Sequence, residues 1–159
     1  VTKSIEIHGL RELQNDFDNA FSLSRKEGKA FSKMWGEWVT GRVKAYTLDA
    51  GAVDLGTLVQ GIDYHIKDSG NTIETTVKPD AKGDKYAIYV ERGAKPHRPP
   101  VKALQGWADR HGIPVWAVVR KIEREGTDPR WMWRDTYNDV LDKADIHARE
   151  FGDRILKRL

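Results

Sequence analysis

A stripe of apolar residues at steps of three and four runs through the first part of the chain: Leu10, Leu13, Phe17, Phe21, Phe31, Trp35 and Trp38. Ser24 and Gly28 hold the two intervening stripe positions, and Val39, Val43 and Tyr46 widen it. Such steps match one face of an α-helix, so the pattern predicts a single long amphipathic helix over residues 10–47. Its apolar face must be covered by something else in the fold. In "SRKEGK" the stripe passes through Ser24 and Gly28, and a Gly inside a helix costs about 1 kcal/mol relative to Ala. A kink or a close approach by another element is expected there.

Around this helix the chain changes period. "SIEIHGL" alternates Ile5 and Ile7 and closes on Gly9, which predicts a short strand or arm over residues 1–9. "LDAGAVDLGTL" is punctuated by Gly and reads as a loop with one helical turn. Three alternating runs follow, Ile62-Tyr64-Ile66, Ile73-Thr75-Val77 and Tyr86-Ile88-Val90, separated by the turn formers "DSGN" and "PDAKGD". They predict an antiparallel meander over 61–92 within a small sheet of three to four strands, packed on the long helix.

A basic, proline-rich loop spans 93–100, and two or three helices are expected over 101–159. Val101, Leu104, Trp107 and Ala108 share one helical face. In "PVWAVVRKIEREG", Pro114 opens a helix and Gly126 closes it. Asp128 is the expected N-cap of a last helix. Its stripe is Trp133, Tyr137, Val140, Ala144, His147, Phe151, Ile155 and Leu159, with Arg154, Lys157 and Arg158 at the end where the helix dipole favours cations. The expected fold class is a single α+β domain of 159 residues.

Charge narrows the choice of partner. Between Arg92 and Arg134 ten Lys or Arg oppose four acids, a local net charge of +6, whereas the rest of the chain carries 17 basic and 20 acidic residues, or −3. One face should therefore favour an anionic partner, either nucleic acid or an acidic protein surface. With 32% charged and 39% apolar residues, much of the surface is solvated or meets other subunits. The absence of Cys excludes disulfides, thiolate zinc sites and cysteine nucleophiles. No apolar run reaches the ~18 residues of a membrane span, and the N-terminus lacks the apolar core of a signal peptide, so a soluble protein made in the cytoplasm is expected.

Catalytic patterns are sparse. His8, His65, His97, His111 and His147 show no metal-ligand spacing, so no metal site and no cofactor is expected. No phosphate-cradling Gly loop or Gly-x-Ser-x-Gly elbow is present. Asp54, Asp63, Glu74, Glu91 and Asp109 could hold Mg²⁺ in a nuclease, but nothing in their spacing requires it and ordinary solvated surface charge accounts for them better. No catalytic residue is assigned. Glu91 stands apart because it ends an apolar run just before Arg92 and Gly93; its simplest role is to fix the turn.

Cations interleaved with aromatics, including Arg98, Trp107, Trp116, Trp131 and Arg134, suit phosphates and bases, or simply a helix core with its cations in water. Candidate contacts to DNA or to an acidic partner are Lys102, Arg110, Arg120, Lys121, Arg124 and Arg130. Six Trp are many for such a chain. Consecutive residues Trp131, Met132 and Trp133 cannot all face one way on a helix, so at least one is expected at an interface. Candidate subunit or partner contacts are Glu91, Arg92, Lys95, His97, Arg98, Trp131, Met132 and Trp133.

The order of segments resembles the tail-completion (neck) family of long-tailed bacteriophages. The resemblance runs through "IEIHGLRELQNDF", "AGAVDLGTLVQGIDYHI", "YAIYVERGAKPH", "LQGWADRHGIP" and "VRKIEREGTDPRWMWRDTYNDV", roughly Ile5 to Val140. Asp54 and Gly56 match the family's Asp-Thr-Gly turn, with Leu55 in place of Thr. Tyr86, Ala87, Tyr89, Val90, Glu91 and Gly93 match its strand signature, and Gly126 with Pro129 its Gly-x-x-Pro. Where many members have Phe after Pro-Arg, this chain has Trp131-Met132-Trp133. The resemblance implies a non-enzymatic virion protein that forms a homo-oligomeric ring, commonly a hexamer, at the head-tail junction. It also implies neck and tail-terminator partners and possible contact with genomic DNA. A nonspecific nucleic-acid-binding protein and a metal-dependent nuclease are the alternatives from other classes.

Overall fold

A computed structural model describes residues 10–51, 54 and 56–158, with Leu10 described by its backbone only. The arm expected over residues 1–9 lies outside them. In chain order the elements are α1 (Leu10–Asp49), α2 (Thr57–Gly61), β1 (Asp63–Asp68), β2 (Ile73–Lys78), α3 (Asp84–Arg92), α4 (Val101–Arg110), α5 (Val115–Glu125) and α6 (Met132–Leu156). None of the described helices is long and apolar enough to cross a membrane.

The long helix forms as its stripe requires. Its 40 residues span about 60 Å at 1.5 Å per residue. Helix α6 lies antiparallel beside it. From one end of the seam to the other, Thr47 Oγ1 donates to Met132 Sδ at 3.1 Å and Arg42 Nε to Asp139 at 2.7 Å. Trp35 meets His147 edge-on, the Phe31 and Phe151 rings lie 5.0 Å apart, and Arg158 pairs with Glu27. The stripe positions Phe31, Trp35 and Trp38 thus build an aromatic seam with α6, where Trp35 also stacks on Trp38 at 4.9 Å.

A different face of α1 takes the hairpin. Gly28, Ser32 and Gly36 recur every fourth residue, and their small side chains let the strands approach closely. A Cβ at Gly36 would come within 2.6 Å of the Tyr64 ring, and one at Gly28 within 3.0 Å of Ile73 Cδ1. The expected close approach at Gly28 is therefore made by a strand. β1 and β2 pair antiparallel, Tyr64 opposite Val77 and Ile66 opposite Thr75. On β2, Ile73, Thr75 and Val77 turn inward while their neighbours are exposed.

The hairpin turn is the predicted "DSGN": Asp68 Oδ1 accepts from the Gly70 amide at 3.0 Å, and Gly70 adopts φ 89°. Asp68 also ties the hairpin to α1 through Lys29 at 2.8 Å and Arg25 at 2.6 Å. These bonds hold its carboxyl well below the usual carboxylate range, with Lys29 the largest cause, then the Gly70 amide and Arg25.

The α+β class holds in coarse form, but the third strand does not exist. Tyr86–Val90 lies within helix α3, and the sheet has two strands. In a run as short as "YAIYV", alternation and helical spacing fit equally well. Local capping and burial decide between them. Asp80 Oδ1 accepts from the amides of Gly83 at 2.7 Å and Lys82 at 3.1 Å, and its carbonyl accepts from Asp84 N, so "PDAKGD" winds into a helix start instead of a hairpin. Ala87 and Glu91 then point inward, while Ile88 and Tyr89 stay exposed.

The core lies at the C-terminal half of α1. Val43, Leu58, Ile62, Ala87 and Met132 are buried there, with Val39, Tyr46, Val77, Tyr86, Val90 and Trp133 packed around them. The α4–α5 pair forms as its sequence signals indicate, with Pro100 and Pro114 at the N-caps and Gly126 at the C-cap of α5. Ala108 and Val119 are buried, whereas Trp116 is 51% exposed.

Candidate functional site

The segment from Tyr86 to Pro100 meets the segment from Gly126 to Arg134. Ala94 and Thr127 exchange backbone hydrogen bonds of 3.2 and 2.8 Å in an isolated antiparallel bridge. The two flanking glycines are required by it. Gly93 has φ 70° and Gly126 φ 78°; a Cβ on Gly93 would lie 2.2 Å from the Thr127 carbonyl oxygen, and one on Gly126 2.1 Å from that of Ala94. No side chain fits in either gap.

Glu91 acts one turn earlier. Its Oε2 accepts from the Trp133 amide at 2.9 Å and its Oε1 from the Arg134 amide at 3.0 Å. A buried carboxylate on α3 thereby caps the first turn of α6, where unpaired N–H groups and the positive end of the helix dipole favour an anion. Asp128, the expected N-cap, does not take this place, because α6 starts later, at Met132. The Glu91 carbonyl accepts from the Arg130 and Trp131 amides at 3.2 and 3.1 Å, which turns the chain sharply into the helix. Trp131 bears the strain at φ 52°, the one positive φ on a non-glycine residue among the described residues. Arg134 covers its ring at 4.5 Å.

The candidate contact residues therefore separate into two groups. Met132 is fully buried in the core and Glu91 is buried at the α6 cap, so neither side chain reaches a partner from this fold; each works inside the chain. Arg92, Lys95, His97 and Arg98 are exposed, and Trp131 and Trp133 are half-buried.

Lys102, Arg110 and Arg130 come together on one groove of about 920 Å³ between α3, α4 and the loops beside them. Tyr86, Tyr89, Leu104 and Trp107 supply its apolar and aromatic lining. Lys102, Gly106 and Arg110 fall at every fourth residue of α4, and Gly106 leaves the middle of that face bare. Arg110 forms a two-pronged ion pair with Asp54, and this bonding lowers the Asp54 pKa. Arg130 donates to the Ala50 carbonyl at 2.8 Å, a neutral acceptor.

Arg120, Lys121 and Arg124 stand elsewhere, exposed on α5. Sequence spacing singles out Trp107 and the cations, but Tyr86 and Tyr89 become part of the groove only because α3 is a helix. Among the described residues no group of three or more His, Asp or Glu is placed to hold a metal ion. Comparison with known protein families, curated proteins and solved structures finds no match.

Proposed function

We propose that this chain is a structural protein of a tailed-phage virion, whose copies form a ring at the head-tail junction and help join tail to head. The observation that carries the proposal is the amount of large apolar side chain left in water. Phe17 is 67% exposed and Leu156 72%, and Leu13, Phe21, Tyr137, Leu141 and Ile146 are each more than half exposed. Leu13, Phe17 and Phe21, four residues apart, share one face of α1, and an exposed apolar stripe of this kind marks a site of protein association. The motif residues of the family resemblance support the same reading, since Glu91, Gly93 and Gly126 meet at one structural junction.

Particle imaging tests the proposal: density for this protein is expected between head and tail, and its absence there removes the assignment. The exposed cations Lys95, Arg98, Arg120, Lys121 and Arg124 favour, as a second reading, nonspecific binding to a nucleic-acid backbone. A gel-shift salt series separates the two, because tight binding with a steep salt slope supports the second. A nuclease centred on Glu91 finds no support in its geometry, since both carboxylate oxygens are engaged by backbone amides.

A further inference from the structure

The two ends of α1 carry complementary surfaces. Its seam with α6 ends where Arg158 meets Glu27, so the first three to four turns project beyond the body, and residues 11–19 are exposed on every side. Leu13, Phe17 and Phe21 form an apolar stripe along this tip. Asp16, three residues after Leu13, flanks the stripe on one side, and Asp18, three before Phe21, on the other. Residues 11–23 carry three acids, Glu12, Asp16 and Asp18, against Arg11, a net charge of −2.

At the opposite end, beside Gly51, lies the groove with its aromatic lining; Arg110 is paired with Asp54 there, and Lys102 and Arg130 stand against one further acid, Asp128, a net charge of +1. The tip is apolar with a net charge of −2; the groove is aromatic with a net charge of +1. The rigid helix from Phe21 to Asp49, about 42 Å long, separates them, so a chain cannot place its own tip in its own groove.

We infer that the α1 tip of one copy docks into the Tyr89–Lys102–Arg130 groove of the next copy, a head-to-tail contact of this chain with itself. The occupant is set by charge complementarity. Phe17 and Phe21 enter against Tyr89 and Trp107, while Asp16 and Asp18 approach Lys102 and Arg130. A contact between two different patches repeats from copy to copy and generates a ring when the rotation closes or a filament when it does not. The contact presupposes the multi-copy assembly proposed above and supplies the surfaces that would build it.

Light scattering on the eluting 159-residue chain, over a series of concentrations, tests the contact with two double variants at exposed positions. The tip variant is Asp16→Lys with Phe17→Ser, and the groove variant is Tyr89→Ser with Lys102→Glu. Wild type is expected to self-associate, less strongly as salt rises, and each variant to weaken association by about tenfold or more. An equimolar mixture of the two variants is expected to give dimers and nothing larger. One copy still offers an intact groove and the other an intact tip, so such dimers also show that both variants fold.

A groove variant that assembles like wild type overturns the contact in favour of tip-to-tip pairing. A wild-type chain that stays monomeric throughout overturns it too, as does a mixture that forms no dimer. Particle imaging separates these failures from that of the functional proposal: a ring at the junction held by other surfaces leaves the function standing and the tip-groove contact refuted.

Discussion

The two halves of α1 have the same period and opposite fates. From Val39 to Thr47 one face of the helix packs against α2, α3 and α6, and Val43 and Thr47 are completely buried. From Leu13 to Phe21 an equally apolar stripe faces water. A helix therefore reports which of its faces is apolar, and its neighbours alone decide where that face becomes core. Substitutions at the buried half should reach stability, and substitutions at the tip should reach association.

The largest effect is expected at the junction that holds the buried half in place. Gly93→Ala or Gly126→Ala forces a Cβ to within 2.2 or 2.1 Å of a carbonyl oxygen, at a positive φ. Either should destabilise the fold by about 3 kcal/mol, read as a lower midpoint in chemical denaturation. Glu91→Ala should follow closely, at about 2–3 kcal/mol, because it leaves two amides of α6 without acceptors. Glu91→Gln keeps one acceptor and should recover part of the loss; equal losses for the two variants would show that packing, not capping, is the role of Glu91.

Gly36→Ala is a smaller perturbation. It gains about 1 kcal/mol of helix propensity and loses more to overpacking against Tyr64, for a net cost of about 1 kcal/mol. Gly41→Ala is the control, because a Cβ there meets nothing within 4 Å; it should be neutral or stabilising by thermal melting.

Acid offers a way to loosen the body without mutation. Asp68, Asp139 and Asp54 all have lowered pKa values in the folded chain, through bonds led by Lys29, Arg42 and Arg110 respectively. Their stabilisation is fully present above the unfolded carboxylate value of about 3.9 and is lost as pH falls below it through the depressed folded values. Stability should be flat at neutral pH and fall below about pH 4. Asp68→Asn should flatten that fall; an unchanged slope would remove Asp68 from the account.

The smallest effect on folding is expected at the tip, where Phe17→Ser should shift stability by no more than about 0.5 kcal/mol. A large loss of stability there would contradict the division between the two halves.

Much of this architecture was written locally. The apolar stripe, the Gly70 turn, and the Pro114 and Gly126 boundaries of α5 depend on periodicity and on residues with restricted or permissive backbones, so the sequence by itself determined α1, α5 and the hairpin. It also marked Glu91, Gly93 and Gly126 without revealing their partners. Only the tertiary structure decided that Tyr86–Val90 is helical, that Glu91 caps a helix 42 residues further on, that Met132 belongs to the core, and that Tyr89 shares a groove with Lys102. The physical reason is the same in each case. Backbone propensity acts over a few residues, whereas burial and the pairing of polar groups depend on segments brought together from far along the chain.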